Sequence, residues 1–316
     1  MGPVVAMRRA LARWYAPRRT GYPWRAGDPD AYAVLVSEVM LQQTQAARVE
    51  PAFERFLAEF PTVEALAAAP RASVLRAWAG LGYNRRGVAL SEAARMIVRN
   101  HDGRVPADPA ALRRLPGVGP YTAAAVASLA YGAPVPAIDV NVARVVARAV
   151  LGAEPGAVRP AEVRAAAGRF LDRRDPGGWN QALMDLGREV CRPRPRCEAC
   201  PLARGCVLVA ARRVFGPDRP PGPPSTPVPP RRRQPPFDGS FRQVRGRVVA
   251  VLRHIPWATL AGLAEATGRS LGDAAAAVVA LTADGVVEAD PAARAGRPWG
   301  RVRLAEADRA AGGSAG

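Results

Sequence analysis

The sequence contains no lysine: all 45 basic side chains are arginine, set against 27 acidic ones and only 2 histidines. Codon usage in a GC-rich genome accounts for much of that bias. One chemical consequence holds whatever its origin, because no side-chain amine exists here to form a Schiff base. Long apolar runs are also missing. The longest uncharged stretch, 115–138, is interrupted by Pro116, Pro120, Pro134, Pro136 and several glycines. Only Tyr121–Tyr131 remains as helix, well short of the ~20 residues that cross a bilayer. The first fifteen residues mix Arg8, Arg9 and Arg13 with short apolar stretches and lack the pattern of a secretory signal, so a soluble, cytoplasmic protein without membrane partners is expected. Cysteine is scarce, and its four copies all fall within 191–206. Without a secretory signal, such clustering argues for a metal site in a reducing compartment rather than for disulfides.

What is present is an ordinary globular composition, 49% hydrophobic and 23% charged, in a chain of 316 residues long enough for two or three compact units. The formal net charge of +18 favours a polyanionic partner, nucleic acid or an anionic membrane surface. Helical periodicity dominates residues 5 to about 210, in segments such as Tyr32–Glu50, Val63–Ala69, Ser73–Gly80, Val88–Asn100, Thr122–Tyr131 and Val140–Leu151. Short connections rich in Gly and Pro separate them, so this part reads as mainly α. Between Pro217 and Pro236 half of the positions are proline, interleaved with Arg219 and Arg231–Arg233, which makes an extended basic linker. Beyond it, Phe241–His254, Thr259–Thr267 and Ser270–Ala283 read as three short helices, followed by strand-like pieces at Val286–Ala289 and Trp299–Leu304. Three helices and a terminal hairpin resemble a winged helix. The expected organisation is therefore a helical domain over 1–210, a linker over 211–240, a winged-helix-like domain over 241–305 and a flexible tail over 306–316.

Three constellations carry chemistry. In Leu115–Thr122, Gly117 and Gly119 flank one apolar residue just before a helix, so backbone amides and the helix N-terminus can approach a phosphate. Twenty residues after Gly119, Asp139 stands at a helix start, where an ordinary N-cap is the competing reading. The second constellation is Cys191, Cys197, Cys200 and Cys206, whose spacing fits either a zinc ion or a [4Fe-4S] cluster. Arg192, Arg194, Arg196 and Arg204 crowd the same loop and present positive charge at its rim. The third is the run Ser37–Gln45. Glu38 lies there among apolar residues on a helix, where burial raises a carboxyl pKa and keeps it protonated for general acid work; pairing with an arginine is the alternative.

Together with Pro23-Trp24-Arg25, Gly80-Leu81-Gly82-Tyr83, Ile138–Val145 and Asn180–Gly187, these stretches resemble the adenine DNA glycosylases of the MutY type. That family lies within the helix-hairpin-helix superfamily that also holds endonuclease III. The resemblance covers about residues 20–210 and implies a six-helix barrel plus an iron–sulfur cluster domain, with a base flipped out of double-stranded DNA into a pocket. It implies base excision repair by a monomeric enzyme acting on a mismatched or damaged pair, namely adenine opposite 8-oxoguanine or guanine. In a bacterial cytoplasm, DNA binding would keep such an enzyme with the nucleoid. By the same resemblance Glu38 protonates adenine at N7, and Asp139 stabilises the cationic sugar, a division of labour like that of paired carboxylates in sugar hydrolysis. Tyr121 and Asn141 support the sugar and phosphate side, and Trp24, Arg25, Leu41, Gln181 and Asp185 line the adenine pocket. Gln43 and Thr44 face the opposite base, while Gly117, Gly119, Tyr83 and Asn84 touch DNA and the four cysteines hold [4Fe-4S].

The sequence departs from the family's pattern at several places. Bifunctional relatives carry a lysine where Tyr121 stands here. A thymine glycosylase for T·G mismatches shares the fold and that tyrosine, whereas the run Ser37–Gln45 with Gln181 and Asp185 points to adenine. An aromatic that wedges into the duplex is replaced by Asn84, the first cysteine spacing is one residue short, and 241–305 does not resemble the domain that reads 8-oxoguanine in many relatives. A catalytically inactive DNA-binding protein and a zinc-stapled architectural protein are the readings from other classes. The absence of lysine sets a first expected outcome: the purified protein leaves an abasic site that breaks only after hot alkali, checked on denaturing gels. Prompt strand nicking would contradict it.

Overall fold

The structure, a computed structural model, describes residues 2–19, 21–27, 30–215 and 236–306. Positions 216–235 of the expected linker and 307–316 of the expected tail lie outside these residues. The helices in chain order are α1 (Pro3–Tyr15), α2 (Ala31–Leu41), α3 (Ala46–Glu59), α4 (Val63–Ala68), α5 (Arg71–Ala77), α6 (Arg85–His101), α7 (Pro109–Leu112) and α8 (Pro120–Tyr131). They continue with α9 (Val140–Val150), α10 (Pro160–Phe170), α11 (Pro176–Glu189), α12 (Val207–Phe215), α13 (Phe241–Leu252), α14 (Leu260–Thr267), α15 (Leu271–Ala283) and α16 (Pro291–Arg294). Three short strands, β1 (Ala258–Thr259), β2 (Val287–Ala289) and β3 (Arg301–Leu304), form one antiparallel sheet in the order β1-β3-β2. The sequence signalled only β2 and β3, because a two-residue strand leaves no alternation to read.

Local chemistry sets the helix boundaries that matter. Pro120 opens α8 at a position whose N–H needs no partner, and Gly132 closes it at φ +64°. Asp139 caps α9, and Asp175 caps α11 by accepting from the Gly178 N–H. The segment Tyr32–Glu50, continuous in its periodicity, is two helices here. It breaks at 42–45, where Gln43 takes a left-handed φ of 58°. The Arg86 guanidinium holds the break. One of its terminal nitrogens donates to the carbonyls of Val39, Met40 and Gln42 at 2.9, 2.8 and 2.6 Å, and the other reaches Thr44 Oγ1 and the carbonyls of Leu81 and Gly82. Orphan carbonyls at a helix end are costly unless satisfied, and one planar guanidinium satisfies several at once.

The chain divides into two compact units. The first comprises Met1–Glu38, Val105–Arg114 and Val118–Arg231. Its core joins Met7, Leu11 and Tyr15 of α1 to Val142, Val145 and Val146 of α9, Phe170 at the end of α10, and Trp179, Leu183 and Leu186 of α11. Helices α9 and α11 are in close contact at Gly187, where a β-carbon would sit 2.7 Å from that of Asn141, so only glycine fits. The second unit comprises Val39–Arg104, Leu115–Gly117 and Arg232–Gly316. Here Val244, Val248 and Leu252 of α13, Leu260 and Leu263 of α14, and Val278 and Leu281 of α15 share one core with Ala72 and Leu75 of α5 and Val88 of α6. The C-terminal helices and sheet are therefore fused onto α5 and α6 by common apolar burial.

In the first unit, buried Asn180 fixes the segment that leads to Asp139. Its carbonyl accepts from the Ala137 N–H at 2.8 Å, and its amide donates to Ser128 Oγ at 2.9 Å and to the Val135 carbonyl at 3.0 Å. Removing it takes the side-chain partner from the buried Ala137 N–H, and one partner each from Ser128 Oγ and the half-buried Val135 carbonyl. Asn180→Ala is expected to cost about 2–4 kcal/mol, measured by urea unfolding. A loss within experimental error would contradict this role.

Candidate active site and thiol cluster

The first unit holds Trp24, Arg25, Glu38, Gly119, Tyr121, Asp139, Asn141, Gln181, Asp185 and the four cysteines. Within it, Glu38 on α2 is 5% exposed, and its Oε2 has no hydrogen-bond partner. Burial pushes its carboxyl up to about 7; the Tyr121 hydroxyl and the Arg25 charge pull the other way, and the Asp139 charge adds to the rise. Tyr121, on the first turn of α8, donates to Met184 Sδ at 3.3 Å while also facing the Glu38 carboxyl, and burial drives its phenol well above the usual value. Sulfur is a weak acceptor, so the Tyr121 hydroxyl is not committed to it.

Asp139 accepts three N–H donors. Its Oδ1 takes the backbone amides of Asn141 and Val142 at 2.9 and 2.7 Å, and its Oδ2 takes Asn141 Nδ2 at 2.7 Å. The N-cap reading from the sequence is thus realised, and it does not exhaust the residue: the same hydrogen bonds fix a carboxylate at the positive end of α9. Asn141 is fixed in turn. Arg144 donates to Asn141 Oδ1 at 2.8 Å, to the Gly187 carbonyl at 2.7 Å and to the Cys191 carbonyl at 2.6 Å. A continuous chain of hydrogen bonds therefore runs from Asp139 to the cysteine loop.

Arg25 pairs with buried Asp185 in a two-pronged contact of 2.7 and 3.2 Å, and Trp24 stacks on Tyr22 at 4.8 Å with nearly parallel rings. The Tyr15 hydroxyl donates to Gln181 Oε1. Leu41, Gln43, Thr44, Tyr83, Asn84 and Gly117 belong to the second unit. Thr44 accepts from Arg86 at 2.9 Å, and Gln42 donates to the Gly117 carbonyl at 3.2 Å. Gly117 has a φ of +76°, and Gly119 caps α8 with extended backbone. Tyr83 is 46% exposed at a φ of 44°, and its neighbour Asn84 accepts from Arg253 at 2.8 Å.

Cys191, Cys197, Cys200 and Cys206 line one cavity together with Val145, Leu186, Leu202 and Leu208. Among the described residues no three of them converge as ligands to a single ion. The four thiols, their shared cavity and its apolar wall fit a cluster. Arg148 supports the loop from behind, donating to the Arg192 and Pro193 carbonyls at 2.6 and 3.1 Å and approaching Cys191 Sγ at 3.7 Å. Burial pushes the Cys200 thiol up to about 11, so a bound metal would have to displace its proton. Arg192, Arg194, Arg196 and Arg204 are all exposed around the loop.

Comparison with known proteins gives this geometry a lineage. Residues 36–167 match the model of the HhH-GPD superfamily of base excision DNA repair proteins. The chain is 42% identical to an adenine DNA glycosylase of Mycolicibacterium smegmatis over 244 residues, which is 77% of this chain and 79% of that one. The chain belongs to the adenine DNA glycosylase family. A human adenine DNA glycosylase is 42% identical over 214 residues, covering 64% of this chain and 39% of that protein. Among solved structures, a thermostable thymine-DNA glycosylase is similar at a TM-score of 0.61 and 28% identity, covering 66% of this chain and 97% of that one. A trapped endonuclease III–DNA intermediate, 22% identical with a TM-score of 0.55, shares the fold over 66% of this chain and 96% of that one.

For a member of this family, the sequence left several supporting residues unread. Arg86 and Tyr15 touch candidate site groups and lie in no pattern that marks them, whereas Arg144, Asn180 and Met184 lie in recognised stretches that assign them no role. Arg86 is one arginine among many. Only its position two residues after Asn84, at the start of a helix, could have drawn notice.

Proposed function

We propose that this chain is a monofunctional glycosylase that hydrolyses the N-glycosidic bond of adenine mispaired with 8-oxoguanine or guanine in double-stranded DNA. The observation that carries the reading is the contrast between two carboxyls of the first unit, Glu38 buried and shifted to about 7, and Asp139 anchored by three N–H donors. A buried carboxyl that holds its proton near neutral pH is a general acid, and an anchored carboxylate stabilises positive charge.

The reaction then balances as follows. Glu38 gives its proton to N7 of the flipped adenine, so the bond between N9 and C1′ breaks with its electron pair leaving on a neutral base. The cationic sugar forms beside the Asp139 carboxylate. Water adds at C1′, and its proton restores an enzyme carboxyl. Asn141 holds Asp139 in place, Tyr121 steadies the Glu38 carboxyl, and Trp24, Arg25, Leu41, Gln181 and Asp185 line the base pocket. Gln43, Thr44, Tyr83, Asn84, Gly117 and Gly119 contact the duplex. Cys191, Cys197, Cys200 and Cys206 hold a [4Fe-4S] cluster, which supplies part of the folding free energy of its loop when bound. The C-terminal helices and sheet make a winged-helix-like module.

Relatives named for adenine at 42–43% identity support this substrate over thymine, since the solved thymine-DNA glycosylase is only 28% identical to this chain. Single-turnover assays on duplexes with A opposite 8-oxoguanine, A opposite G and T opposite G test the reading. Glu38→Gln and Asp139→Asn should each lower excision by at least about 100-fold while duplex binding persists. Because Glu38 acts protonated, the wild-type rate should be flat below about pH 7 and fall as pH rises through it. Preferred release of thymine, or near wild-type excision by either variant, would overturn the reading.

A further inference from the structure

Four arginines lie on or just after α13, Arg242, Arg245, Arg247 and Arg253, and three of them are engaged by groups of their own unit. Arg245 pairs with Asp284, Arg247 donates to the Thr267 carbonyl at 2.9 Å, and Arg253 donates to the Leu75 carbonyl at 2.9 Å and to Asn84 Oδ1 at 2.8 Å. A further outward basic surface of this module lies on its sheet. β3 alternates exposed and buried residues, so Arg301 and Arg303 face outward while Val302 and Leu304 enter the core. Trp299, two residues before Arg301, is 67% exposed. Across the β1–β3 pairing, Trp257 is 45% exposed, with the Arg301 guanidinium 4.3 Å from its ring centre. Arg301 makes no ion pair among the described residues, whereas Arg303 is engaged by Glu288 and Glu306.

Two features say what such a face fits. Residues 291–305 contain four arginines and no acid, and 239–264 contain four arginines and a histidine and no acid. An arginine stacked on an indole is held flat with its N–H edge free to meet an anion, and exposed indoles present broad apolar faces to sugars. The location is equally specific. Trp257 lies four residues after Arg253, so its Cα is within about 14 Å of the residue that grips Asn84, next to exposed Tyr83. That separation is less than the length of one helical turn of duplex.

We propose that Trp257, Trp299 and Arg301 form a second contact surface for double-stranded DNA, held near the Tyr83–Asn84 turn by the Arg253 clamp. The inference rests on the reading that this chain acts on duplex DNA. It adds to that reading a contact outside the region matched by the superfamily, 36–167. It also explains why the module is fused to α5 and α6 by a shared core: a contact surface must be held rigidly to act in register with the turn.

The test uses the full chain, because deleting the module would strip Ala72, Leu75 and Val88 of their cover. Affinity for an intact, undamaged duplex is measured over a range of salt for wild type, Arg301→Gln and Trp299→Ala. Arg301→Gln should bind several-fold more weakly, with a salt slope lower by about 0.9, the loss of one phosphate contact. Trp299→Ala should weaken binding with an unchanged slope. Duplex should quench tryptophan emission of the wild type, and Trp257→Phe with Trp299→Phe should remove most of that quench. Wild-type affinity and slope in both variants would overturn the contact. If those losses occur but the wild type releases no adenine from any mispair, the substrate reading fails and the contact stands.

Discussion

The chemistry proposed for this chain depends on keeping one carboxyl away from water. Glu38 sits within α2 among Leu35, Val36, Val39 and Met40, all buried, and nothing bonds its Oε2. Exclusion of water is what disfavours its charged form, and the Arg25 charge and Tyr121 hydroxyl offset only part of that. Arg25 is itself engaged by Asp185, which limits how far it can neutralise Glu38. Asp139, by contrast, is bound by amides at a helix start. The same unit thus holds two carboxyls in opposite environments, and the chemistry follows from that difference.

The second constraint is mechanical. Arg86, Arg144, Arg148 and Arg253 each bridge backbone carbonyls or side chains of separate segments: the 42–45 break to the 81–82 turn, α9 to the end of α11, α9 to the cysteine loop, and the C-terminal module to Asn84. Burial lowers the Arg86 pKa to about 10, which still leaves it charged at neutral pH. Several donors in a rigid plane suit such bridging better than a single ammonium does. In a chain without lysine, the high arginine content therefore serves structure as well as surface charge.

Much of this was legible in the sequence because it is local. Helix periodicity located α4, α6, α8 and α9 to within a few residues, and Pro120, Gly132 and Asp139 marked their ends. Glu38 stood out as a charge inside an apolar helix. What remained hidden depends on contacts between distant segments. The split of 32–50 needs Arg86 from another helix, the short strand β1 exists only through β3, and the sharing of a core by α5, α6 and α13–α15 leaves no trace in any single window. Asn180 fell within a recognised stretch, but its bonds to Val135 and Ala137 span more than forty residues.

The most direct test of the central claim is the protonation state of Glu38 itself. Infrared difference spectra of wild type against Glu38→Gln, recorded across pH in the absence of DNA, isolate the stretch of a protonated carboxyl. The account requires that band at pH 6, with its loss centred near pH 7. A Glu38 carboxyl already ionised at pH 5 would contradict it, because no proton would then be held ready for the base.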